Sequence, residues 1–208
     1  MSYPALLQPV LINKQRIDIF VPDNEFILAA YKNGEPGFDS PYWARIWPAA
    51  IGLCSFLQEH PHYIQHKKVL ELAAGLGLPG IFSAAYAQQV CISDKEMAAV
   101  ALIEQSIQHN KLTNASCRII DWNHLDDIAM PEILLLSDIN YEPAQFTQLL
   151  TVINHFITAD CTILLSTPQR LMAKDFINEL MIFCKEQSAI MVPEESGEAA
   201  VSVFVLSK

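Results

Sequence analysis

The sequence predicts an α/β doubly wound fold whose sheet of about seven strands is mostly parallel. Two observations carry this prediction. From Lys67 onward, short and almost wholly apolar runs alternate with segments whose apolar residues recur at helical spacing. At the end of the chain, two strand-like runs are separated only by a turn, which predicts an antiparallel hairpin on an otherwise parallel sheet.

Five apolar runs are the expected parallel strands. Each is short, rich in leucine or β-branched residues, and nearly all apolar, as strands buried on both faces of a sheet are. The segments between them are expected to be amphipathic helices. The predicted strands are KVLEL (68–72), VCIS (90–93), CRII (117–120), ILLLS (133–137) and CTILLS (161–166). The helical repeats are Val100, Ile103 and Ile107; Phe146, Leu149, Leu150 and Ile153; and Met172, Phe176, Leu180 and Phe183.

The two ends of the chain depart from this alternation. The C-terminal hairpin is expected to join SAIMVP to AVSVFVLSK through the turn EESGEA. Before Lys67, QRIDIFVPD alternates as an exposed strand does, KNGEPGFDSP is loop-like, and WPAAIGLCSFLQEH begins a helix with Pro48 in its first turn. We predict a single domain over residues 1–208, in which 1–66 is an N-terminal extension and 67–208 the core.

Composition narrows the classes of function. The 208 residues are 51% hydrophobic and 17% charged, which argues against a disordered chain. The net charge of -10 argues against nucleic acid as a partner, because a surface that binds phosphates is basic. No apolar stretch reaches the roughly 18 residues of a membrane span, and no signal-peptide pattern opens the chain. The five scattered cysteines are typical of a reducing compartment, and we expect a cytoplasmic monomer.

The stretch VLELAAGLGLPG is compatible with two different cofactors. Gly75, Gly77 and Gly80 match the G-x-G-x-x-G pattern that holds the pyrophosphate of a dinucleotide. Read from Glu71, the same stretch is acid-x-small-x-G-x-G, with Ala73 as the small residue. A carboxylate at the end of the first strand would repel a pyrophosphate. It suits S-adenosylmethionine, which carries a sulfonium and an ammonium and no phosphate.

Two later positions bear on the same choice. Asp94 ends VCISD, where either cofactor would place its ribose, so it does not discriminate between them. Asp121 and Trp122 follow the third strand in IIDW, where an acid can accept from an adenine amino group and an indole can stack on its ring. A NAD(P)-dependent oxidoreductase of this kind usually needs a second, substrate-binding domain, for which the chain has no room.

At this point the sequence resembles a known family. The stretches PYWARIWPAAIGLCSFL, VLELAAGLGLPGI, SDKEMAAVALIEQSIQHN, IIDW and LLLSDINYEPAQFTQLL are similar in kind and order to those of the Rossmann-like, seven-stranded class I methyltransferases. More narrowly, they resemble the protein-lysine methyltransferase family that includes the enzymes acting on electron-transfer flavoprotein β-subunit, Hsp70 chaperones and valosin-containing protein. The stretch ILLSTPQR continues the resemblance more weakly.

The resemblance implies roles by position. Ala73, Ala74 and Gly75 would cradle S-adenosylmethionine with their backbone, although the family often has glycine at position 73. Ser137 and Asp138, at the end of the fourth strand, would face the cofactor and the substrate, and Tyr141 completes the family's D-x-x-Y pattern. Motif and resemblance together predict cofactor contacts at Trp47, Glu71, Ala73, Ala74, Gly75, Gly77, Asp94, Asp121, Trp122 and Ser137.

The implied reaction is methyl transfer to an amine. The protein must align an uncharged amine with the methyl carbon and exclude water. We expect Asp138 to orient the amine and stabilise the developing cation, with Tyr141 as a hydrogen-bonding wall. We expect Trp43 to pin the N-terminal helix to the core. His60, His62 and His66 are expected to be a solvated linker, and no metal site is predicted.

Several functions stay open at this stage. The expected substrate is a protein bearing a lysine, and the alternative is a small-molecule amine. An NAD(P)-dependent oxidoreductase and a catalytically silent binding protein of the same fold are the other two hypotheses.

Overall fold

The computed structural model describes residues 4–35, 42–125, 128–194 and 197–208. Strands and helices alternate from residue 68 onward as predicted, except that the described residues between 119 and 133 contain no helix. The strands are β1 (Ala5–Ile12), β2 (Gln15–Pro22), β3 (Lys68–Glu71), β4 (Gln89–Asp94), β5 (Ala115–Ile119), β6 (Ile133–Ser137), β7 (Thr162–Pro168), β8 (Cys184–Glu194) and β9 (Gly197–Leu206). The helices are α1 (Asn24–Lys32), α2 (Pro48–Glu59), α3 (Leu78–Ser83), α4 (Met97–His109), α5 (Phe146–Thr158) and α6 (Lys174–Leu180).

Seven of these strands form one sheet, in the order β5-β4-β3-β6-β7-β9-β8. The strands from β3 to β7 are parallel, whereas β9 pairs antiparallel with both β7 and β8. The predicted doubly wound fold and its antiparallel C-terminal hairpin are therefore confirmed. The strand order reverses between β3 and β6, and folds of this class bind ligands at the carboxyl ends of the strands beside such a reversal.

Successive residues of the central strands enter two separate apolar clusters. Val69 and Leu135 belong to the cluster that contains the buried faces of α2, α3 and α4. Leu70 and Leu134 belong to the cluster that contains those of α5 and α6. Because helices cover both faces of the sheet, both sets of alternating side chains are apolar, and the strands appear in the sequence as continuous apolar runs.

The N-terminal segment packs on the core in a way that the sequence showed only in part. QRIDIFVPD forms β2, but Ile17 and Ile19 are buried rather than exposed. β2 pairs antiparallel with β1, and the Phe20 N–H donates to the Ser106 hydroxyl of α4 at 3.0 Å. α2 begins at Pro48 as predicted and packs against α3 and against β7, β8 and β9. The division at residue 66 stays a prediction.

Some details of the prediction need correction. The third helical repeat is not one helix, because α6 is flanked by short 3-10 turns at Leu171–Ala173 and Met181–Phe183. β8 and β9 run further than expected toward the turn, of which residues 195–196 lie outside the described part of the chain. Residues 36–41 of the predicted loop also lie outside it. No helix within the described ranges is both long enough and apolar enough to cross a bilayer.

Candidate active site

A cavity of about 640 Å³ lies at the carboxyl ends of the central strands, on the side where the strand order reverses. Its size is in the range of cavities that hold small-molecule ligands. Eleven of the twelve residues that the sequence predicts for the site line this cavity. They are Trp47, Ala73, Ala74, Gly75, Gly77, Asp94, Asp121, Trp122, Ser137, Asp138 and Tyr141.

The loop between β3 and α3 forms one wall. Ala73, Gly75 and Gly77 all have positive φ, at 51°, 57° and 73°. A left-handed conformation costs an L-residue about 1–2 kcal/mol, which accounts for the glycine that the family often has at position 73. A Cβ on Gly75 would lie 3.1 Å from the carbonyl oxygen of Trp43, so the glycine also allows the loop to approach the N-terminal segment closely.

Asp94 holds this loop in place. Its two carboxylate oxygens accept from the backbone N–H groups of Gly75 at 2.8 Å and Glu96 at 2.9 Å. The side chain is buried, and burial raises the pKa of the carboxyl, which these two backbone hydrogen bonds oppose. Each oxygen keeps a second lone pair, so Asp94 can hold the loop and still accept from a ribose hydroxyl.

Glu71 is the predicted residue that does not line the cavity. Its side chain is fully buried, and its Oε2 accepts from the Gly80 N–H of α3 at 2.7 Å. Glu71 and Val69 point to the same face of β3, the face that α3 covers. Its Oε1 has no partner among the described residues, and burial raises the pKa of the carboxyl to about 8. The predicted contact between a charged Glu71 and the ligand is therefore corrected.

Gly80 is a glycine because of this packing. A Cβ at that position would lie 2.6 Å from both Glu71 Oε2 and Ile92 Cγ1. The third glycine of the G-x-G-x-x-G pattern thus serves the close contact between α3 and the sheet. The pattern alone does not indicate which cofactor is bound.

The residues after β5 supply a different wall. Asp121 lies at the mouth with its Oδ1 accepting from the backbone and side-chain N–H groups of Asn123 at 2.9 and 2.7 Å. Trp122 lines the cavity and packs against the apolar cluster that contains α5. Asp121 and Trp122 therefore both line the cavity, as the predicted contacts with an adenine ring require.

The predicted catalytic residues, Asp138 and Tyr141, follow the end of β6. Asp138 is 6% exposed, has a φ of 57°, and donates its backbone N–H to the Ser166 carbonyl at 2.9 Å. Its Oδ1 accepts a short hydrogen bond from Nη1 of Arg170, which follows β7. No described residue donates to its Oδ2, so this oxygen is the one left for a substrate.

Tyr141 and the N-terminal segment close the mouth. The Tyr141 ring lies 5.0 Å from that of Tyr42, and Trp47 donates its indole N–H to the Tyr42 carbonyl at 2.8 Å. Burial and the nearby carboxylates raise the pKa of the Tyr141 phenol. Tyr141 consequently stays protonated near neutral pH and can donate a hydrogen bond, but it is a poor base.

The sequence interpretation missed three contributors to this site. Arg170 was quoted in ILLSTPQR without a role, although its place just after a parallel strand is the signal that finds it. Tyr42 was quoted in the PYW lead-in without a role. Trp43 is buried, as expected of a residue that anchors the helix, but it also lines the cavity.

The charges of the cavity favour a cationic ligand over a phosphate. Three cations belong to the described lining, and each already has a partner. The Arg45 guanidinium carbon lies 4.1 Å from the Trp47 ring centroid, Lys95 pairs with Glu96 at 3.8 Å, and Arg170 pairs with Asp138. The Gly75 N–H is also taken, by Asp94. Five carboxylates also belong to the described lining, so acidic groups outnumber basic ones there: Asp94, Glu96, Asp121, Asp138 and Glu142.

Comparisons with known proteins agree with this chemistry. The family described as lysine methyltransferase matches residues 40–182. The histone-arginine methyltransferase METTL23 of Homo sapiens is 28% identical over 160 residues, which are 74% of this chain and 84% of that protein. The protein N-lysine methyltransferase METTL21A of Xenopus tropicalis is 32% identical over 142 residues, or 66% of each chain.

The fold is also that of solved methyltransferases. The crystal structure of SMU.776, assigned as a methyltransferase and complexed with SAH, aligns with a TM-score of 0.63 and 14% identity over all of this chain and 57% of that one. An identity this low compares the folds alone.

Proposed function

The chain belongs to the lysine methyltransferase family, and from that premise we propose that it methylates the side-chain amine of a lysine in a protein substrate. It is a methyltransferase that uses S-adenosylmethionine, not an NAD(P)-dependent oxidoreductase. One observation carries the proposal: the family match spans residues 40–182, and among the described residues every one that lines the cavity except Tyr31 lies in that segment. The matched segment therefore builds nearly the whole cavity.

The residues present fit this cofactor. Asp94 has lone pairs left for ribose hydroxyls, Trp122 offers an aromatic face, and the backbone of Ala73, Ala74 and Gly75 lines the cavity beside them. When bound, S-adenosylmethionine supplies a methyl group on a cationic sulfur that is a good leaving group. The excess of carboxylates over cations in the lining stabilises that positive charge.

Asp138 is the group that we place next to the substrate amine. A free lysine has a pKa of about 10.4 and arrives protonated. It must pass one proton to water or to a carboxylate of the cavity before its lone pair attacks the methyl carbon, and the site then stabilises the ammonium that forms. Asp138 lines the cavity, and Arg170 fixes its Oδ1, which leaves Oδ2 for the substrate. A buried carboxylate held in this way stabilises charge as it develops, and the Tyr141 hydroxyl oxygen can accept from an amine N–H, which leaves the nitrogen lone pair for the attack.

Methylation of a protein arginine is the second candidate, and one contact favours it. The guanidinium of Arg170 lies on the carboxylate of Asp138, and this contact supports the proposal that Asp138 can pair with a substrate guanidinium. METTL23, named as a histone-arginine methyltransferase, is also among the relatives. We rank lysine first because an amine, once deprotonated, needs only one oriented carboxylate at the nucleophile.

The test is transfer of a radiolabelled methyl group into an extract from cells that lack this protein. The labelled protein is then digested, and the modified residue is identified by mass spectrometry. Label on a lysine, absent with Asp138→Asn, is the expected result. Label on an arginine supports the second candidate, and label confined to small amines overturns both.

A further inference from the structure

The mouth of the cavity is unusually apolar on its outer side. Leu171 is 89% exposed and Met172 is 56% exposed. With Tyr141 and Arg170 they line a shallow depression on the surface. We call Leu171 and Met172 the outer shelf. Neighbouring apolar side chains that stay in water mark binding sites more often than single ones do.

The outer shelf is continuous with the candidate active site. Tyr141 and Arg170 line both the outer depression and the inner cavity. Arg170 donates a hydrogen bond to Asp138, and Leu171 of the outer shelf is the next residue in the chain. Tyr141 and Arg170 therefore connect the outer shelf to the cavity that contains Asp138.

This arrangement suits a segment of protein. A lysine carries its amine on a flexible four-carbon stem, so the amine can enter the cavity while the main chain remains at the mouth. The five carboxylates of the cavity complement that cation. The residues next to the lysine then lie over Leu171 and Met172, which offer only apolar surface.

We infer that the outer shelf binds an apolar side chain of the protein substrate, within two positions of the target lysine. The inference rests on the proposed function, because a small-molecule amine has no neighbouring residue to place there. Burial of one leucine-sized side chain corresponds to a preference of about tenfold or more over glycine at the same position.

Leu171→Asp is the variant that tests the shelf, since so exposed a side chain contributes little to folding. The matched control is Ile182→Asp, at a residue 79% exposed. Ile182 lies at the opposite edge of the sheet. It lies two residues before Cys184, which pairs with Leu206, and Leu206 pairs with Ile163 near the start of β7. The outer shelf instead follows the end of β7, so the two sites lie at opposite ends of that strand.

The substrates are synthetic peptides with one central lysine among glycines, and variants with a single leucine at each of the two positions on either side. For each enzyme, kcat/KM with the leucine peptide is divided by kcat/KM with the all-glycine peptide. We expect a ratio of about ten or more at one position for the wild type and Ile182→Asp, and a ratio near one for Leu171→Asp.

The outcomes separate the two claims. If the wild type methylates the lysine peptides but its kcat/KM ratio is near one at every leucine position, the inferred role of the outer shelf is wrong and the proposed function still stands. A preference that survives in Leu171→Asp also overturns the shelf. Methylation of matched arginine peptides alone overturns the proposed lysine function, and no methylation of any peptide overturns both.

Discussion

Arg170 donates a hydrogen bond to Asp138 across the carboxyl ends of two neighbouring strands, β6 and β7. The carboxylate is almost entirely buried, whereas the guanidinium is 24% exposed. The pair therefore links the interior of the cavity to its mouth. One oxygen of Asp138 is fixed from outside, and the other is free to act on a substrate.

Asp138→Asn is expected to lower kcat at least ~100-fold, as loss of a group that stabilises developing charge does. Affinity for S-adenosylmethionine should stay within a few-fold, because we place Asp138 next to the substrate amine, whereas the predicted contacts with ribose and adenine are Asp94 and Trp122. Asparagine is preferable to alanine at this site, since it tolerates the φ of 57° and matches the shape of aspartate. Single-turnover kinetics and calorimetry measure the two quantities. Wild-type turnover in Asp138→Asn would show that this residue is only structural.

Arg170→Ala and Arg170→Lys test whether Arg170 positions the Asp138 carboxylate or blocks the entry of the substrate. Removal of the guanidinium leaves a buried carboxylate without its partner, which should cost about 1–3 kcal/mol of unfolding free energy. We expect kcat to fall in Arg170→Ala with little change in KM. Arg170→Lys should recover most of both losses, because only Nη1 makes the contact. Urea denaturation and steady-state kinetics provide the readouts. Faster turnover of a small amine by Arg170→Ala would instead make Arg170 a plug that substrates must displace.

The sheet could be predicted from sequence because each of its parallel strands appears as a short apolar run of consecutive residues. Four of the five parallel strands, β3, β4, β6 and β7, are largely buried, so their apolar runs identified them. β5 lies at the edge of the sheet and is partly exposed, but its short apolar run was still sufficient to identify it. Residues at the ends of those runs converge by topology, which is why Asp94 and Asp138 were found. β1 was missed because its apolar residues do not alternate with polar ones and Pro9 interrupts it.

The orientation of individual side chains could not be predicted in the same way. Glu71 ends a strand as Asp94 does, but α3 covers the face to which it points. That fact depends on packing between elements. The contact between Arg170 and Asp138 joins residues from two strands, and neither residue's immediate neighbours in sequence indicate it.

Asp94→Ala should weaken cofactor binding by about 1–3 kcal/mol, the range for loss of a hydrogen bond to a charged group. It should also lower the melting temperature, because the N–H groups of Gly75 and Glu96 lose their acceptor. Asp94→Asn keeps one acceptor oxygen and should show a smaller loss of both. Calorimetry with S-adenosylhomocysteine and thermal unfolding measure the two effects. If the dissociation constant of Asp94→Ala equals that of the wild type, Asp94 serves the loop alone.

The last prediction concerns pH and Glu71. The pKa of this carboxyl rises from 4.5 to about 8 on folding, because the side chain is fully buried. Between these values the folded state holds a proton that the unfolded state has lost. The contribution of Glu71 to stability is therefore fully present below pH 4.5 and is lost as the pH rises through 8. The slope approaches about 1.4 kcal/mol per pH unit inside that window.

Glu71→Gln removes the titration and leaves a neutral side chain of the same shape, whose oxygen can still accept from Gly80. We expect its unfolding free energy to rise relative to that of the wild type, steadily from pH 6 to pH 8, in urea denaturation. Glu104→Gln, on the exposed side of α4, controls for the loss of one negative charge. Parallel pH profiles for the wild type and Glu71→Gln would mean that Glu71 is ionised in the folded protein. A buried charge would then face the N-terminal turn of α3, and the neutral role of Glu71 beside the glycine loop would be wrong.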